Sequence, residues 1–488
     1  MNLKINKNYI FILIFTSFLF FWGVTLSDLN GLFKLIDQPS SDLTSLILNK
    51  LKLSYLIIFL LIPIFYGFIK KRNFFPKEIF NNQKYIIIFT LFVFVHYVFI
   101  KFYYNEIFAK SEIVNLIYLL LISIIYCHYR NFILINFKKI VIFYLIILII
   151  YSIYEGTIIY SIYEGPKIVY LGQCNSDLFL INIIREYTGI SFGNSFYLEN
   201  SHLAIMSVPV FFSGMYILVQ EKKNNILFLL LFLIQIIIIL TNLSTTYFIC
   251  YFISQISLLF FFLKKLNTKF WIFTILLLLV NSYLFFSDKN CTVKVKDFKV
   301  KEVINKKLEK NQTNLTTLVY KRSAILALNT LKDHSFGWGI DGMDDATRNL
   351  MSKYDTRPCN KVIPVDHIIV CTDEERQEYW ADTNKRSYWP LNFLNLKDGL
   401  SNFFKMFTEF GIFTFIIFYY FIRYILNINN LSAYNLFIII LFGAMCIRGV
   451  GYFSGGFIFC ILELFYCKKF LSEFELKKIN TINSPINK

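Results

Sequence analysis

Long apolar runs separated by short basic segments dominate the chain. About twelve of these runs are long enough to cross a hydrocarbon core of roughly 30 Å as helices. They begin near Tyr9, Ser54, Tyr85, Ile113, Ile140, His202, Ile226, Thr246, Phe270, Leu400, Tyr434 and Tyr452. The first follows Lys4 and Lys7 and has no small-residue cleavage site behind it, so it reads as a retained helix. With the N-terminus inside, Lys70-Lys71-Arg72, Lys138-Lys139, Lys222-Lys223, Lys264-Lys265 and Lys468-Lys469 all fall on the cytoplasmic side, where basic residues orient membrane segments. The pattern predicts an all-α polytopic membrane protein of about twelve transmembrane helices with both termini cytoplasmic. Residues 1–153 would hold helices one to five, 154–199 a first exterior loop, and 200–287 helices six to nine. A large exterior loop spans 288–398, and 399–488 holds the last three helices and a basic tail.

Composition agrees with that class. The 488 residues are 56% hydrophobic with 56 Phe, more apolar surface than a water-soluble fold can hide. The net charge of +17 sits at the ends of apolar runs, so it is topological and does not call for nucleic acid. A tandem duplication, IIYSIYEGT then IIYSIYEGP from Ile149 to Pro166, is too short for a repeat array. Nine cysteines show no CxxC or Cys/His ligand spacing, so no zinc site is expected. Cys174, Cys291, Cys359 and Cys371 fall in the exterior loops, where disulfides can form, and a Cys359 to Cys371 bridge and unpaired thiols both stay open. No Walker loop, GxSxG elbow, HExxH or GxGxxG opening a helix is present, so neither ATP nor another cofactor is called for.

The candidate chemistry lies in polar residues on the exterior side. REYTGISFGNSFYLENSHLAIM starts at Arg185 and allows a tight path at Gly189 and Gly193 before re-entry at His202. In the large loop, Arg322 opens a predicted helix whose Ala324, Leu328 and Leu331 share one face and whose end carries Lys332 and Asp333. His334 and the turn Gly337-Trp338-Gly339 follow. Arg448 stands in CIRGVGYFSGG at the outer end of the eleventh run. An arginine near hydrocarbon is either paired or snorkelling, or it serves an anionic ligand, and its planar fork suits phosphate oxygens. Glu199, His202, His334 and Glu409 are candidate bases. Of these, Glu199 also reads as a partner for Arg185, and His334 as a helix C-cap. Trp338, Trp380 and Trp389, with Tyr379 and Tyr388, could stack on sugar rings or simply pack. The Asp344-Asp345 pair reads as solvated, and no exterior carboxylate cluster has metal-ligand spacing.

These residues carry a resemblance. The run from Arg322 through HSFGWGIDGM resembles the arginine, helix and Gly-Trp-Gly signature of the O-antigen polymerase and ligase superfamily. SNFFKMFTEFGIF from Ser401 is similar to its following helix, REYTGISFGNSFYLENSHLA to the segment before its middle helices, and LTNLSTTYF from Leu240 to its short Ser/Thr-rich turn. The ligases carry a histidine at the head of the helix after the large loop, where Ser401 and Asn402 stand here, so the resemblance favours the polymerases. It implies joining of oligosaccharide repeats carried on undecaprenyl pyrophosphate at the periplasmic face of the bacterial inner membrane, with a chain-length regulator as a further partner. Arg322, Arg185 and Glu199 are then the expected catalytic residues. Arg448, His334, Gly337, Gly339, Trp338 and Glu409 are expected to bind substrate, and no metal is expected.

Two alternatives accompany this reading. A ligase would transfer finished polysaccharide to a lipid A core. A flippase or transporter would use the same arginines along a pathway, although no internal symmetry of the transporter kind is visible. A polyprenyl-phosphate-sugar transferase would want an acidic pair in the exterior segment after the first helix, where Asp28, Asp37 and Asp42 are not adjacent.

Overall fold

The protein is described from a computed structural model. It describes residues 77–104, 110–153, 200–220, 226–241, 245–287, 315–340, 401–428, 431–449 and 456–466, with isolated positions at 60–64, 342–349 and 452 and the strand residues of one hairpin within 363–370. The helices are α1 (Lys77–Tyr103), α2 (Lys110–Ile153), α3 (Asn200–Gln220), α4 (Ile226–Thr241), α5 (Thr245–Phe262) and α6 (Thr268–Ser287). They continue with α7 (Leu315–Asp333), α8 (Asn402–Phe410), α9 (Thr414–Leu426), α10 (Ala433–Ile447) and α11 (Phe457–Leu464). Strands β1 (Ile363–Val365) and β2 (Ile368–Val370) form an antiparallel hairpin with Pro364 opposite Ile369.

Among the described residues three stretches are long and apolar enough to cross a membrane, Lys84–Tyr103, Glu112–Ile150 and Asn402–Leu426, and shorter apolar helices accompany them. Their outward residues, Phe94, Leu120, Leu230, Phe260 and Leu279 among them, are exposed, as expected where lipid replaces water. The inward faces form one core, with α10 packed centrally against α3, α5, α8 and α11.

One expected boundary is absent. Runs beginning near Ile113 and Ile140 should have been separated by a turn at Lys138-Lys139, but α2 is a single helix of 44 residues. No glycine or proline interrupts 110–153, and apolar residues continue on both sides of the lysines, so nothing ends the backbone ladder. A buried cluster joins α2 to α10 and α11. Arg130 donates to Glu463 through Nε at 2.9 Å and Nη2 at 2.8 Å and lies 3.5 Å over the Tyr466 ring, while the hydroxyls of Tyr126 and Tyr434 donate to the same carboxylate. An ion pair removed from water is tolerable only when its remaining hydrogen-bonding capacity is met in this way.

Candidate functional site

The helix predicted from Arg322 exists and begins seven residues earlier, at Leu315. Its buried stripe differs from the expected one. Ser323, Leu326, Ala327 and Thr330 are buried, whereas Leu328 is 65% exposed. The Ala324/Leu328/Leu331 face therefore does not meet the bundle. The inner stripe mixes small and hydroxyl side chains, which let α7 lie directly against α8.

Below α7 the chain makes an interlock. The Trp338 amide donates to the Thr408 carbonyl at 3.1 Å, the Gly339 amide to Glu409 at 2.9 Å, and the Ile412 amide to Ser335 at 2.9 Å. Gly337 (φ 84°), Gly339 (φ 81°) and Gly411 (φ 54°) adopt the left-handed backbone this needs. A Cβ on Gly337 would overlap the Glu409 carbonyl, and one on Gly411 would overlap that of Ser335. The Gly-Trp-Gly turn and the Glu-Phe-Gly break between α8 and α9 are thus two halves of one joint. The joint is placed by α1, where His96 Nε2 donates to the Phe336 carbonyl at 2.7 Å.

Trp338 is 6% exposed, and its ring stacks on His334 at 3.8 Å, which in turn lies 4.2 Å from Tyr104. A sugar cannot stack there, because protein already covers the ring. His334 follows α7 as a cap, its amide donating to Thr330 at 2.8 Å. Its Nε2 accepts from Asn349 Nδ2 at 3.0 Å. Asp345, expected in solvent, instead lies 3.5 Å from Lys101 of α1, which also pairs with Glu112 at 2.9 Å.

At the other end of α7, three elements meet. The Tyr320 hydroxyl donates to the Ile447 carbonyl at 2.5 Å, tying α7 to the end of α10 beside Arg448. Burial pushes the Tyr320 hydroxyl up to about 12, with the Arg448 charge opposing, so it stays protonated and cannot serve as a base near neutral pH. Gly449 lies so close to Asn402 that a Cβ there would overlap the amide side chain. Ser401 caps α8 by accepting from the Phe404 amide at 3.2 Å. The backbone position of Arg322, two residues beyond Tyr320, heads a stripe with Leu326, Asn329 and Asp333 at i+4, i+7 and i+11. Arg448 and the Arg322 position therefore share the neighbourhood around the head of α8. The Gly-Trp-Gly turn lies roughly 20 Å further along, counting 1.5 Å per residue.

Between these two levels α8 carries charge into the bundle. Glu409 is fully buried, with Lys405 Nζ 3.7 Å from its Oε1, and that ammonium lies 5.3 Å over the Tyr452 ring. Lys405 was not among the residues singled out in the sequence. Its signal was the i,i+4 Lys/Glu spacing in NFFKMFTEF, within an otherwise apolar helix. Arg185, Glu199, Trp380, Trp389 and the loop cysteines lie outside the described residues. No family model, characterised protein or solved structure matches this chain.

Proposed function

We propose that the chain is a membrane glycosyltransferase that polymerises oligosaccharide repeat units carried on undecaprenyl pyrophosphate, acting at the periplasmic face of the bacterial inner membrane. One observation carries the reading: the helix that contains Arg322 packs against α8 and is tied by Tyr320 to the Ile447 carbonyl, next to Arg448. As the donor sugar leaves pyrophosphate, negative charge grows on the leaving group, and fixed guanidinium groups favour that state over the ground state. Arg322 and Arg448 take this role, joined by Arg185, while Glu199 accepts the proton of the attacking hydroxyl. The amide groups at the head of α8 add a favourable dipole for an anion. His334, Trp338, Gly337, Gly339 and the buried Glu409 set the site's frame and do not contact sugar.

The orientation proposed here rests on the basic segments of the sequence: the end of the bundle where Lys265 donates to the Ile428 carbonyl at 2.5 Å is assigned to the cytoplasm, and the end where Lys101 meets Asp345 to the exterior. The test is direct: purified protein and a lipid-linked repeat unit should give a ladder of products on a gel. Substrate crossing between leaflets without bond formation would establish a flippase instead. A single product formed only with a lipid A core acceptor would establish a ligase. Polymer formation should survive EDTA, and a loss restored by magnesium would replace the arginine mechanism with a metal one.

A further inference from the structure

We propose that His96, on a helix of the N-terminal half, is a positioning residue for the reaction, and this rests on the function proposed above. Its partner is a carbonyl, which can only accept, so Nε2 carries the proton and holds the Phe336 oxygen at 2.7 Å. The other ring nitrogen has no hydrogen-bond partner among the described residues. Orientation therefore comes from packing: the ring sits among Phe92, Phe410 and Phe413 with centroids 5.8, 5.5 and 5.4 Å away. Two of these rings belong to α8 and the break that follows it, so one side chain touches both halves of the joint.

The contact sets a depth. His96 lies seven residues inside the Tyr103 end of its span, about 10 Å at 1.5 Å per residue. Non-helical backbone is tolerated at such depth only when protein encloses it and its polar groups are met. Gly337, Trp338, Gly339 and Ile340 are buried there. The Phe336 carbonyl is met by His96, and the returning chain reaches Lys101 through Asp345 one turn and a half higher on the same helix. Because α7 is continuous from Leu315 to Asp333, the depth of the turn fixes the height of Arg322 beside Arg448. Releasing the carbonyl would let α7 ride upward and carry Arg322 out of register with the leaving group.

Two substitutions separate the donor from the ring. His96→Gln keeps an N–H at the same number of bonds from Cα and gives up the aromatic packing, whereas His96→Phe keeps a ring and gives up the donor. Hydrogen–deuterium exchange is read at the Trp338 and Gly339 amides, which are hydrogen-bonded across the joint. Both variants are compared at matched thermal midpoints. We expect His96→Phe to speed exchange at these amides by about tenfold or more and to lower kcat about tenfold with little change in KM for the lipid-linked unit. His96→Gln should stay within a few-fold of wild type in both. Unchanged exchange in His96→Phe would overturn the proposal, as would equal impairment of the two variants, which would make the residue a packing element only. Should wild-type protein make no polymer at all, the function fails while the exchange comparison still decides the contact.

Discussion

Gly411 shows how a single residue can report on the joint. Its backbone is left-handed, and the space a side chain would need is occupied by the Ser335 carbonyl. Gly411→Ala therefore combines strain with overlap against backbone, which cannot move aside as a flexible side chain can, and should cost about 2 to 4 kcal/mol. Gly443 is the internal control: it lies within α10 with open space around its Cα, so Gly443→Ala should leave the thermal midpoint unchanged or raise it slightly. A midpoint that falls equally for both would mean the joint is not specially tight. The chemistry is tested at Arg322. Arg322→Lys keeps one charge and removes the two-pronged geometry, so the rate of polymer formation should drop about a hundredfold, or roughly 3 kcal/mol, with folded yield unchanged. A normal rate would make Arg322 a structural charge.

Elements tell which parts of this arrangement the chain displays openly. The α7 helix, the Gly-Trp-Gly turn after it and the helix from Asn402 were all legible, because amphipathic spacing, paired glycines and an apolar run after a polar head are local signals. The buried face of α7 was not legible. Choosing Ala324, Leu328 and Leu331 assumed that the most apolar stripe packs inward, as on a soluble surface helix, whereas beside lipid the apolar side can equally face outward and the small, hydroxyl-bearing side can face protein. Lys405 escaped for a related reason: a lone lysine in an apolar run looks topological until a carboxylate is placed 3.7 Å away. The face assignment can be checked by truncation. Leu326→Ala should destabilise by about 2 to 4 kcal/mol through the lost contacts and the cavity left against α8, while Leu328→Ala, mostly exposed, should cost under about 1 kcal/mol. The opposite order in thermal unfolding would restore the face first expected.

Among the described residues, two groups of contacts between distant segments mark the two ends of the bundle. Tyr320 with Ile447, Gly449 beside Asn402, and Lys101 with Asp345 define one; Lys265 with Ile428, Tyr216 with Leu431 and the Arg130–Glu463–Tyr434 cluster define the other. The α2 helix starts at the first end, where Glu112 pairs with Lys101, and has reached the second by Arg130. Lys138 is still at that end, its ammonium 5.8 Å over Phe228 in the first turn of α4. Beyond it Ile140, Val141, Tyr144, Leu145 and Leu148 are buried and α2 packs along α4, which runs back toward the first end. An apolar stretch this well buried belongs inside the bundle and not in the aqueous compartment beyond Arg130, so we predict that residue 155 reaches the exterior even though the hydrogen-bond ladder of α2 is unbroken. Single cysteines introduced at Glu155, Asn384 and Asn224, in protein lacking Cys174, Cys291, Cys359 and Cys371, test this with a reagent that cannot cross the membrane. Glu155 and Asn384 should be labelled from outside, and Asn224, which follows Lys222 and Lys223, only after the membrane is opened. Labelling at Asn384 without labelling at Glu155 would show that α2 crosses once and ends in the cytoplasm, so that the segment before α3 would have to make the crossing that α2 does not. Reversal of Asn384 and Asn224 would turn the whole bundle over and place Arg322 and Arg448 on the wrong side for a substrate presented outside.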